Sequence, residues 1–115
     1  MVGYGRLKNR GEFGKVIKHG RTVGDRNLVL FILSSSDSEA KVGFTAQRKA
    51  GNAVKRNRIK RRLRALHKHF EPDLIPCGHL IWLGKTGVLQ ADWDGLVKSG
   101  RKLLTRAGCL AKDFG

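Results

Sequence analysis

Arg56, Asn57, Arg58, Lys60 and Arg61 crowd four cations and one amide into six positions. Guanidinium forks match the oxygen geometry of phosphates, and an ammonium adds a compact point charge, so the chemistry on offer is anion binding. The surrounding stretch, Arg48 to Phe70, holds ten of the 24 Lys and Arg residues, and no acid lies between Glu39 and Glu71. A solvated helix face normally mixes signs, with Glu four residues from Lys. Here the acids are missing, and ten like charges repel one another unless a polyanion screens them. The expected anion is nucleic acid. Asn57 carries no charge, so bulk electrostatics would not select it. A base edge, a 2′-hydroxyl or the protein backbone could take its hydrogen bonds.

These side chains must be held on something, and the pattern around them predicts a helix. Asn52 is a capping residue whose short side chain can accept from first-turn N–H groups. From Ala53 to Phe70 there is no Gly or Pro, and good helix formers dominate. Ile59, Leu63, Leu66 and Phe70 recur at i, i+4, i+7 and i+11, one narrow apolar stripe. Lys60, Arg61, Arg64 and Lys68 then point away from it together with Asn57, while Arg56 and Arg62 flank it. Gly51, just ahead, supplies either a special backbone conformation or a close approach to the ligand.

At 115 residues the chain reads as one domain, 1–115, able to bury a core without staples. A net charge of +15 implies affinity for polyanions with steep salt dependence. Cys77 and Cys109 form no CxxC pattern, and with no N-terminal apolar targeting segment they read as reduced thiols of a soluble, cytoplasmic protein. Leu28–Leu33 and Leu80–Leu83 are strand-sized, far short of a membrane span. His67, His69, Cys77 and His79 invite a metal reading, yet His67 and His69 at i, i+2 diverge on a helix. No nucleophile–base–orienter set is present, and Asp92 and Asp94 suit helix capping better than Mg²⁺ binding. No catalytic residue and no protein metal site are therefore expected.

In chain order, Glu12–Lys18 carries Phe13, Val16 and Ile17 at helical spacing, closed by Gly20. Leu28–Leu33 is a buried strand, and 34–38 a turn from which Lys41–Gln47 returns as the second strand of a hairpin. After the basic helix, Pro72 and Pro76 mark the exit and Gly78–Leu83 reads as a third strand. Asp92 or Asp94 caps a last helix with Leu96, Leu103 and Leu104 inward, ending near Gly108. Its outer side, Lys98, Arg101, Lys102 and Arg106, is basic as well. The order α-β-β-α-β-α predicts an α+β sandwich. Phe44, Trp82 and Phe70 are assigned to the core.

Lys49-Ala50-Gly51-Asn52-Ala53-Val54, followed by Arg56-Asn57-Arg58-Ile59-Lys60-Arg61, resembles the protein component of bacterial ribonuclease P, whose signature is K-x-G-x-A-V-x-R-N-R-x-K-R. Every signature residue is present. Arg6-Leu7, Glu12-Phe13 and Lys15-Val16 match that family's first helix, Leu28–Phe31 its long strand, and Val42-Gly43-Phe44 the strand before the signature. The resemblance implies a fold like the second domain of ribosomal protein S5, with a left-handed β-α-β crossover. It also implies a role beside a catalytic RNA that removes the 5′ leader from precursor tRNA. On it, Arg48, Lys49, Asn52, Lys55, Arg56, Asn57, Arg58, Lys60, Arg61 and Arg64 would bind RNA. Phe13, Ile17 and Phe31 would line a leader cleft, where the two phenylalanines have two uses, core packing and base stacking. Mg²⁺ would be held by the RNA. Expected partners are the catalytic RNA and precursor tRNA, with no membrane and no obligate protein partner. Departures are Ile17 where a second aromatic is common, Gly84 where an arginine often follows the third strand, and Gln47 in place of Ser. The rival readings are a small basic structural protein of the ribosome and, more weakly, a DNA-binding helix-turn-helix protein, which the flanking strands disfavour.

Overall fold

In the computed structural model, which describes residues 5–7, 9–34, 40–75 and 78–110, strands and helices run in the order β1 (Gly5–Arg6), α1 (Arg10–His19), β2 (Arg21–Gly24), β3 (Leu28–Leu33), β4 (Lys41–Ala46), α2 (Ala53–Phe70), β5 (His79–Gly84) and α3 (Trp93–Ala107). The expected α-β-β-α-β-α series is there, with two short strands, β1 and β2, added.

The five strands form one mixed sheet in the order β1-β4-β5-β3-β2. This corrects the hairpin expected between Leu28–Leu33 and Lys41–Gln47. The partner of β3 by hairpin is β2, with Val23 opposite Leu30, and β5 is inserted between β3 and β4. The reason is burial. Leu80, Ile81 and Trp82 are all fully buried, so β5 has apolar surface on both faces and takes the centre. Its pairing with β4 is parallel, which requires a crossover, and α2 supplies it. The tight β2–β3 connection is set by Asp25, whose Oδ1 accepts from the amides of Asn27 and Leu28 at 3.0 Å each.

Alternation along the strands sorts the core into two layers. Leu28, Leu30 and Ile32 of β3, with Val42, Leu80 and Trp82, meet Ile59, Leu63, Leu66 and Phe70 of α2 and Leu96, Leu103 and Leu104 of α3. On the opposite face Leu7, Val16 and Ile81 form a smaller cluster with Phe13, Phe31 and Leu33 against α1. The whole predicted stripe of α2 is fully buried. At about 1.5–3 kcal/mol per large side chain, those four residues are what hold the basic helix down.

Helix ends follow the sequence closely. Asn9, Asn52 and Asp92 cap α1, α2 and α3, accepting from Glu12, Lys55 and Gly95 amides. Gly20 closes α1, its N–H donating to Val16 O, and Gly108 ends α3 at φ +75. Cys77 lies outside the described residues. Cys109 is buried and disulfide-bonded, against the expectation of reduced thiols.

Candidate nucleic-acid interface

The approach to α2 is built to present its first turns. Arg48–Ala50 form a 3-10 turn with Ala50 buried as its anchor, and the Gln47 amide bonds Gly84 O on β5 at 2.9 Å. Gly51 follows at φ +134, a backbone region that a side chain would strain. The helix then leans tightly on the sheet. A Cβ on Gly84 would lie 2.3 Å from Ile59 Cγ2, so the glycine is what lets α2 approach. This also accounts for the missing arginine at that position, since the space belongs to Ile59, Leu63 and Val88.

Of the predicted RNA-binding residues, Arg48, Lys49, Lys55, Asn57, Arg58, Arg61 and Arg64 are exposed, while Arg56 and Lys60 are half-buried. Asn52 is exposed too, but its side-chain oxygen is taken up by the cap at Lys55 N. Ion pairs join Lys41 to Glu12, His67 to Glu71 and Lys102 to Asp25. No carboxylate among the described residues pairs with Arg56 through Arg61, so that charge is left facing outward. Arg62 is the exception within the run. Its Nη1 donates to the carbonyls of Val88 and Ala91, tying α2 to the turn before α3. Position beside the stripe was the available clue to that structural role.

Arg56, Asn57 and Lys60 line a shallow recess of about 260 Å³ together with Thr45, Ala46 and Ala53. Further along the helix the Arg64 guanidinium lies 5.8 Å from the ring centroid of Phe44, whose ring also meets His67 edge-on. Phe44 is half-buried and packs against the main core cluster, so its assignment to the core holds in part. Trp82 and Phe70 are fully buried as expected. On α3, Lys98, Arg101, Lys102 and Arg106 are exposed as predicted, with Lys102 3.7 Å from Asp25 and Arg101 over the Phe70 ring.

The leader set sits on the other face of the sheet. Phe13 and Phe31 are half-buried beside Val16 and Ile81, and Ile17 is 43 % exposed. Phe13 presses on Gly43, where a Cβ would come within 2.4 Å of its ring. Successive residues of β4 thus serve opposite faces, Gly43 receiving Phe13 and Phe44 receiving Arg64.

The histidines go separate ways. His67 is buried, with Nδ1 accepting from Trp82 Nε1 at 3.1 Å and Nε2 lying 3.5 Å from a Glu71 oxygen. Burial pushes its pKa below the ordinary histidine value, against the pull of Glu71. His69 packs edge-on between Phe70 and Trp93, and His79 Nδ1 accepts from the Lys41 amide. Among the described residues no three His, Cys, Asp or Glu side chains converge on a point that could hold a metal ion. Burial alone would raise the Asp25 pKa, but the Ser99 hydroxyl, the Leu28 and Asn27 amides and Lys102 together bring it below the usual carboxylate value.

The profile of the Ribonuclease P family matches residues 2–108 of this chain. The chain is 42% identical over 105 residues, 90% of each protein, to the ribonuclease P protein component of Gluconacetobacter diazotrophicus. It is 36% identical over 106 residues to that of Nitratiruptor, covering 92% of this chain and 94% of the relative. In fold it is similar to a Staphylococcus aureus RNase P protein mutant with defective mRNA degradation activity, at a TM-score of 0.79 and 24% identity over 91% of this chain and 89% of that one.

Proposed function

The chain belongs to the ribonuclease P protein family, and from that premise we propose how its surfaces divide the work of the holoenzyme. It is the protein subunit of ribonuclease P, the endonuclease of tRNA 5′ maturation, and so an RNA-binding component of a ribonucleoprotein. The basic face of α2 and the turn before it, with Arg58 and Arg61 among the exposed cations, bind the catalytic RNA. The cleft between α1 and the sheet, with Phe13, Ile17 and Phe31 on its walls, takes the single-stranded leader of precursor tRNA, where ring faces stack on unpaired bases. The whole of 1–115 acts as one RNA-binding domain, in the cytoplasm where tRNA is processed.

One observation carries this reading. The apolar edge of α2 is fully buried while its cations are left without carboxylate partners among the described residues. Such a surface screens phosphate repulsion between two RNAs brought side by side. Bond cleavage would fall to Mg²⁺ held by the RNA, as kinship with the family implies. The helix would serve as its substitute in charge neutralisation, strongest where Mg²⁺ is scarce. Reconstitution with the catalytic RNA and precursor tRNA at low Mg²⁺ tests the whole assignment. Strong stimulation of 5′ trimming is expected, and its absence would leave a structural RNA-binding protein as the better description.

A further inference from the structure

We propose that the recess between the free edge of β4 and the start of α2 seats one extruded nucleotide, its phosphate between Arg56 and Lys60 and its base against the strand edge. The inference rests on the RNA-binding reading of α2 and adds to it a site for a single unpaired residue.

Four observations meet here. The first is size. At about 260 Å³ the recess is smaller than the roughly 300–1,000 Å³ of pockets for drug-sized ligands, and it is open on one side, which suits one nucleotide on a continuing strand. The second is an orphaned donor. Arg56 Nε is buried without a hydrogen-bond partner, whereas the neighbouring half-buried arginine, Arg62, is satisfied by two carbonyls. Buried donors in native proteins are nearly always hydrogen-bonded, so this one calls for a partner.

The third is the strand edge. Among the described residues β1 pairs with β4 at Lys41 and Val42, and Val42 O accepts from Leu7 N on that side. In a parallel ladder main-chain groups alternate sides, so Phe44 and Ala46 direct theirs to the same side, beyond the end of β1. Of the two, Ala46 lines the recess and offers a donor and an acceptor of the kind that read a base edge, with the Asn57 amide alongside. The fourth is charge. Lys60 stands one helical turn after Arg56, both line the recess, and no acid does. A phosphate between them meets a fork and a point charge at once.

The test is an NMR titration of the full chain with adenosine and uridine 5′-monophosphates, ribose 5-phosphate and inorganic phosphate. The nucleoside monophosphates should move the Thr45, Ala46 and Asn57 amides and the Arg56 Nε–H signal. They should bind about tenfold more tightly than ribose 5-phosphate, the share of one bound base. Arg56→Lys, which keeps the charge and removes the Nε–H, should lose about that factor, as should Lys60→Ala on phosphate loss. Equal binding of inorganic phosphate and nucleotide, an unaffected Arg56→Lys, or shifts confined to the Phe13–Phe31 cleft would each overturn the proposal. Should Arg58→Ala and Arg61→Ala weaken binding of the catalytic RNA while the recess ignores nucleotides, the proposal fails and the reading of α2 survives. Loss of both results would remove both.

Discussion

Trp82 Nε1 donates to His67 Nδ1 across 3.1 Å in the interior, the one buried polar link between the central strand and the basic helix among the described residues. The bond fixes the histidine as a neutral ring with its other nitrogen toward Glu71. Because burial holds its pKa below 6.5 in the folded chain, the unfolded chain takes up the proton first. Stability is therefore full above about pH 6.5 and falls as pH drops through that value towards the lower folded pKa. Urea unfolding at pH 7.5 and 5.5, followed by tryptophan fluorescence, should show the loss. His67→Leu should flatten this dependence and lower stability at neutral pH by about 1–3 kcal/mol, the cost of an orphaned Trp82 N–H. An unchanged pH profile in that variant would remove His67 as the cause.

Two glycines should respond in opposite directions. A methyl on Gly84 would sit 2.3 Å from Ile59 Cγ2, among the packed side chains of Ile59, Leu63 and Val88, so Gly84→Ala is expected to destabilise by about 1–3 kcal/mol. Gly14 lies within α1 with nothing within 4 Å of its Cβ position, so Gly14→Ala should stabilise by about 0.5–1 kcal/mol. Denaturation midpoints of the two variants decide the matter.

The arginines of α2 should separate by role. Arg58→Ala and Arg61→Ala, both exposed and without carboxylate partners among the described residues, should leave the fold intact. Each should lower the slope of log affinity for the catalytic RNA against log salt by roughly one. Arg62→Ala should do the reverse, losing about 1–3 kcal/mol of stability as the Val88 and Ala91 carbonyls lose their donor, with the salt slope kept. A salt slope that drops for Arg62→Ala alone would invert the assignment.

On the opposite face, Phe31→Leu keeps an apolar side chain in the cluster but removes a ring. Precursor tRNA with a leader should bind the holoenzyme about 1–3 kcal/mol less tightly per lost stack, and mature tRNA equally well. Equal losses for both substrates would assign Phe31 to packing.

Much of this was legible because it is local. The stripe Ile59–Leu63–Leu66–Phe70 and the caps Asn52 and Asp92 depend on neighbours a few residues away, and the structure has them as read. What escaped depends on contacts distant in sequence. The central place of β5 follows from burial on both faces, which a six-residue apolar run does not distinguish from burial on one. The half-exposure of Phe44 follows from β1 ending at Arg6, and the anchoring of Arg62 from carbonyls 26 and 29 residues away. Arg62 shows the limit of charge counting, since one of the ten cations in the run works for the fold.

Among the described residues β1 covers the first two positions of β4, and an uncovered strand edge ordinarily invites a second chain to add its own strand. Here the opening is flanked by Arg56 and Lys60 on a molecule of charge +15, so another copy approaching it is repelled before backbones can meet. The same cations thus act as a guard against self-association while RNA is absent. High salt, which screens them, is the condition in which the free protein should begin to aggregate.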